Sequence, residues 1–216
     1  MKKFLSFLFA IGMSHSGFAQ SVLREAVDIP NTDVQKVLRE QPNAIDHQLR
    51  VVDLGKLQLA VGIIHRGPTG GAARGGGGAA AGAGRAAAPP AERCGLTAAP
   101  AGAEIGPPGM IEHDFETETY IIVSGEGTLV TGGAIVNGTK SAPESDVTKI
   151  LNGVSCTGRA AGKIVTRKVG PGDIVIIPQG VPHGWSEIAD HVDYLSVRPD
   201  PDKVLAKDYV NPAIAK

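Results

Sequence analysis

The sequence predicts an all-β protein, a sandwich or barrel of short strands with one short helix near the N-terminus. Two observations carry this. The β-branched runs "TYIIVSGEGTLVTGGAIV", "KIVTRKVGPGDIVIIPQG" and "HVDYLSVRP" are punctuated by glycine and proline, the pattern of short strands joined by tight turns. Helical periodicity is confined to the ends of the chain. The 216 residues are 42% hydrophobic, enough for one domain with a proper core. Charge is balanced, with 21 basic against 22 acidic residues and a formal net charge of −1. That balance supplies no long-range field to gather nucleic acid or anionic lipid, so nucleic-acid binding is not expected.

Residues 1–19 have the order of a secretory signal peptide: Lys2 and Lys3, an apolar run from Phe4 to Met13, then small residues ending at Ala19. The run is about half the roughly 20 residues a bilayer span requires, and no other segment is apolar enough to cross a membrane. The mature protein is therefore expected in the periplasm or outside the cell. Residues 20–50 form an N-terminal extension, in which "NTDVQKVLREQP" reads as a helix. Thr32 is the expected cap, with Gln35 completing a capping box and Pro42 stopping the helix, and Val34, Val37 and Leu38 share one face.

The strand-like segment "HQLRVVDLGKLQLAVGIIHRG" follows. Alternation of Leu57, Leu59, Val61 and Ile63 predicts a pleated strand with that face buried, and His65 would then face inward with them. From 67 to 108 the composition shifts to Gly, Ala and Pro with scattered Arg. Such a run buries too little side chain to offset its ordering entropy and reads as a flexible insertion. Its glycines lack the GxxxxGK[ST] spacing of a phosphate loop. The tail, 200–216, contains "DPDKVLAKDYVNP", expected as a short helix on the outside.

Cys94 and Cys156 are the only cysteines, too few for a closed zinc site. In an oxidising compartment the pair predicts one disulfide closing a loop of about 60 residues, which contributes up to about 4 kcal/mol.

Two stretches carry the candidate chemistry. In "GDIVIIPQGVPHGW", Gly170-Pro171-Gly172 turns the chain into an apolar strand, Pro178 ends regular pairing, and Gly180 permits a backbone angle other residues resist. His183 is thereby placed at the start of the next strand. In "IEHDFETETYIIVSGEG", His113 shares a face with Ile111, and a loop from Asp114 to Thr117 lets Glu118 open the following strand with Tyr120 and Ile122. An inward Glu beside an inward His is costly unless paired or bound to a cation. His113, Glu118 and His183 supply two imidazoles and a carboxylate, a set suited to Fe, Mn, Zn or Ni with open positions for water or substrate. Trp185, Tyr120 and Tyr194 read as pocket or core walls and His191 as a surface residue. No GxSxG elbow is present.

The two stretches resemble the two motifs of the cupin superfamily, G(X)5HXH(X)3–4E(X)6G and G(X)5PXG(X)2H(X)3N. The second matches through Gly172, Pro178, Gly180 and His183, with Glu187 at the usual Asn position. The first matches from His113 as its second histidine through Glu118 to Gly125, and Ile111 stands where its first histidine belongs. The resemblance spans 51–199 and implies a double-stranded β-helix, a jelly-roll barrel with a divalent metal held inside by His113, Glu118 and His183. It also implies a homodimer. With one histidine missing, water, Glu116 or His65 are the groups available to complete the site. Two functions follow. One is an exported enzyme of oxygenase or isomerase type acting on a small organic molecule; the other is a non-catalytic binder of a small molecule or sugar with a weakened or absent metal site.

Overall fold

A computed structural model of the chain describes residues 25–69 and 91–215. The signal-peptide segment 1–19 and residues 70–90 lie outside the described residues.

Helix α1 spans Asn31–Glu40. Its start differs from the capping-box expectation. The residue preceding it is Pro30, no side chain caps the first turn, and the Pro30 carbonyl accepts from the Asp33 and Val34 amides at 2.9 and 3.3 Å. A proline fixed near φ −62° already delivers the chain in a helix-compatible direction, so the hydroxyl of Thr32 is not needed.

The segment expected as one strand is two, β1 (Asp46–Asp53) and β2 (Gln58–Arg66), paired antiparallel. The Asp53 carboxylate accepts from the Gly55 amide at 2.8 Å, and Gly55 takes φ 89°, which turns the chain back on itself. On β2, Gln58, Ala60, Gly62 and Ile64 are buried on one face, while Val61 and the buried Ile63 lie on the other, packed beneath α1. Both faces are covered, so apolar alternation could not tell inside from outside. His65 is accordingly exposed and bonds Asp193 at 2.5 Å, and it does not face the interior.

Short strands β3 (Arg93–Cys94) and β4 (Glu104–Ile105) follow, so part of the Gly/Ala/Pro-rich stretch joins the sheet structure. The remaining strands are β5 (Met110–His113), β6 (Glu118–Gly125), β7 (Gly127–Lys140), β8 (Ser155–Val169), β9 (Ile174–Ile177), β10 (His183–Glu187) and β11 (Val192–Asp200). A single π-helical turn, Val147–Leu151, lies between β7 and β8. The expected C-terminal helix is replaced by turns that run along the edge of β1: the Val51 amide donates to the Tyr209 carbonyl, and that of Asn211 to Leu49, both at 2.9 Å.

The strands form two antiparallel sheets. One has the order β1-β2-β11-β6-β9; the other has β3-β7-β10-β5-β8-β4, with β7 and β8 also paired along their length. Ile64, Tyr120, Ile122, Val175 and Tyr194 from the first sheet meet Leu129, Val169 and Trp185 from the second in one core. Two sheets closed over a shared interior, with α1 laid outside, make this a cupin-type jelly-roll barrel. Cys94 and Cys156 are bonded, tying β3 to β8.

Candidate metal centre

His113 is the last residue of β5, Glu118 the first of β6 and His183 the first of β10. Local chain geometry puts each where a strand meets a turn. Gly180, at φ 70°, donates its amide to the His113 carbonyl at 2.8 Å, so the turn of the second motif is fastened to the histidine of the first. In the strand ladder His183 stands opposite Ile111, whose side chain shares the His113 face. The missing-histidine position is therefore beside the site and holds a hydrocarbon.

One ligand atom from each of His113, Glu118 and His183 lies within 4.8 Å of the others, and all three side chains are 97–99% buried. Hydrogen bonding orients both histidine rings. His113 Nδ1 meets the Ser155 hydroxyl at 2.9 Å, and that hydroxyl also reaches the Gly153 carbonyl at 3.0 Å. His183 Nδ1 faces the Val181 carbonyl at 3.0 Å, and a carbonyl can only accept. His183 thus carries a proton on Nδ1, and both imidazoles aim Nε2 inward, that of His113 at hydrogen-bond distance, 3.3 Å, from Glu118 Oε2. Burial pushes the His113 imidazole below its ordinary value, against the pull of Glu118, which keeps it neutral.

The Nε2 atoms of His113 and His183 lie 3.3 and 3.1 Å from the same oxygen, Glu118 Oε2. The second contact is short but not aligned as a hydrogen bond, and His183 Nε2 is left without a partner. Two imidazole nitrogens and one carboxylate oxygen converge on a buried point. A divalent cation there, taken up with loss of any proton on Nε2, would engage all three, and two imidazoles with one carboxylate fit a first-row transition ion.

Glu118 is held from behind. Its Oε1 accepts from Ser196 Oγ and from Arg198 Nε at 3.0 Å, with Arg198 Nη2 at 2.8 Å. Burial opposes ionisation, but the Arg198 guanidinium and the imidazoles hold the Glu118 carboxyl well below the usual range. Arg198 is itself 0% exposed; the same Nη2 donates to Asp46 Oδ2 at 2.6 Å, and Nη1 donates to Gln48 Oε1 at 3.0 Å. A buried arginine so paired stays charged. Removing one side of such a pair costs about 3–5 kcal/mol.

Of the groups considered to complete the site, neither Glu116 nor His65 is among the converging atoms. His65 is on the outer face. Glu116 is buried, with both oxygens unpartnered, and a Cβ on Gly153 would lie 3.1 Å from its Oε1. Trp185 is core rather than rim, donating Nε1 to the Tyr194 hydroxyl at 3.4 Å, and Tyr120 packs against Tyr194 in a tilted pair with ring centroids 4.2 Å apart. His191 lies at the surface beside Asp190. Ser155, Ser196 and Arg198 escaped the sequence reading. The signal available for two of them was the alternation Tyr194, Ser196, Arg198, Asp200, which places polar residues on the inward face of a late strand.

No family model matches the chain, and no curated protein matches it. Among solved structures it is similar to the BH2720 protein of Bacillus halodurans, at 11% identity over 88% of this chain and 92% of that one, with a TM-score of 0.38. It is also similar to the DMSP lyase DddQ of Ruegeria pomeroyi DSS-3 (16%; 79% and 54%; 0.34). The Drosophila melanogaster CENP-C cupin domain is a third (10%; 78% and 94%; 0.31). The chain spans about half the length of the lyase. Barrel, turn motifs and a two-histidine, one-carboxylate cluster together define a cupin-fold protein with a candidate metal centre.

Proposed function

We propose that this protein binds a divalent transition-metal ion, iron, manganese, zinc or nickel, through His113, Glu118 and His183, and acts on a small organic molecule as an oxygenase or isomerase. The observation that carries the reading is the convergence of His113 Nε2, His183 Nε2 and Glu118 Oε2 on one buried point. When bound, such an ion polarises or activates an oxygen ligand. The chain's own contribution is to orient the imidazoles through Ser155 and Val181, keep Glu118 ionised through Arg198, and exclude water by burial. Ile111 supports a second reading: with a hydrocarbon at the first-histidine position, the barrel serves as a small-molecule or sugar binder with a weaker ion. The apolar leader at 1–19 and the Cys94–Cys156 bond support export to an oxidising compartment.

Metal analysis of protein purified without chelator tests this. Stoichiometric iron, manganese, zinc or nickel is expected, with loss in His113→Ala and in His183→Ala; absence of metal in the wild type, with stability unaffected by EDTA, would favour the binder. Acid should strip the ion. Ligation requires neutral imidazole, and the lowered value of His113 keeps it neutral to a lower pH than free histidine. Affinity is thus expected to hold at neutral pH and to fall below about pH 6. Full metal retention at pH 4 would rule out histidine ligation.

A further inference from the structure

We infer that Arg198, with Ser196, is a positioning residue that restricts Glu118 to binding a metal through one oxygen. The inference rests on the metal reading above. Glu118 Oε1 accepts two hydrogen bonds, from Ser196 Oγ and Arg198 Nε, and Arg198 Nη2 lies against it as an ion pair at 2.8 Å. A carboxylate oxygen has about two lone-pair sites, so Oε1 has none left for a cation. Oε2 has only the two imidazole nitrogens before it. The side chain cannot turn over to exchange the two oxygens, because the guanidinium is anchored at its far end by Asp46 and Gln48 on β1. The same arrangement fixes where Oε2 points, a role that matters more in a site with one histidine fewer.

The geometry has a chemical consequence. A carboxylate limited to one oxygen, with two imidazoles, favours a low coordination number and a nitrogen-preferring ion. Ions such as calcium, which gather six to eight oxygens and often chelate a carboxylate through both, are disfavoured. Ser196 and Arg198 touch neither the ion nor any molecule bound to it; their effect passes through Glu118.

Cobalt(II) titration of the mature, metal-stripped protein tests this, read as affinity against a competing chelator and as the visible absorption of the bound ion, with folding checked separately. Three variants are compared with wild type: Ser196→Ala, Arg198→Lys, which retains the charge but loses the fork, and Leu195→Ala, which disturbs the same strand on its outer side. Ser196→Ala and Arg198→Lys are expected to weaken cobalt binding about 10–100-fold, with a weaker, more octahedral spectrum as Oε1 is released. Leu195→Ala should bind like wild type. Wild-type affinity and spectrum in both first variants would overturn the inference, as would an equal loss in Leu195→Ala. Should Arg198→Lys fail to fold, Ser196→Ala, which keeps the buried charges paired, decides alone. A wild type that binds no cobalt overturns the metal reading and this inference together; binding that is indifferent to the variants overturns this one only.

Discussion

Glu116 stands two residues before Glu118 and is equally buried, yet its surroundings give the carboxyl the opposite protonation. Glu118 has Arg198 and two imidazoles against it; Glu116 has no hydrogen-bond partner, and burial pushes it up to about 8. A group raised in the folded state from an ordinary 4.5 contributes stability that is complete below 4.5 and is lost as pH rises through about 8. Glu116→Gln should therefore melt with wild type at pH 5 and above it at pH 9. Superimposable melting curves at both pH values would show that the buried acid titrates normally. The contrast also explains which site residues were legible. His183 is encoded by its local spacing from Gly172, Pro178 and Gly180, and His113 and Glu118 by theirs to Gly125. Arg198 is 80 residues from Glu118, and Ser155 is 42 from His113. No local spacing encodes contacts that exist only after the strands pair.

At the scale of elements, the turns decide more than the strands. Gly125 ends β6 at φ 64°, and a Cβ there would lie 2.0 Å from the His191 carbonyl oxygen, a backbone atom that cannot move aside. Gly125→Ala combines left-handed strain with that clash and is expected to cost about 2–4 kcal/mol, measurable by denaturant unfolding. A loss under about 0.5 kcal/mol would mean that the turn relaxes freely. Turn glycines and the β-branched runs they separate were readable from the sequence, and so was the all-β class. The facing of β2 was not, because α1 and the C-terminal segment bury Val61 and Ile63 from outside while the other face buries their neighbours. The start of α1 misled for a different reason: a capping box was present in the letters, but Pro30 had already set the chain's direction.

For the molecule as a whole, the Cys94–Cys156 bond joins residues 62 apart and fastens β3 to β8 across the second sheet. Chain-entropy arguments assign a loop of that length about 4 kcal/mol, so Cys94→Ser with Cys156→Ser should lower unfolding free energy by roughly that amount. Equal stability of the double variant and wild type under oxidising conditions would show that the sheet needs no tether. No helix among the described residues is long and apolar enough to cross a membrane.

Strand β11 reaches further than its place in the site. Its inward residues are Tyr194, Ser196 and Arg198, and its outward ones include Leu195 and Val197, so hydrophobicity alone would accept either face toward the barrel. A slip of one residue would be cheap in buried oil but would strand the carboxylates of Glu118 and Asp46 without their counter-charge. The polar residues of β11 therefore act as an alignment key during folding: the pairing error that apolar contacts would forgive is the one that electrostatics rejects.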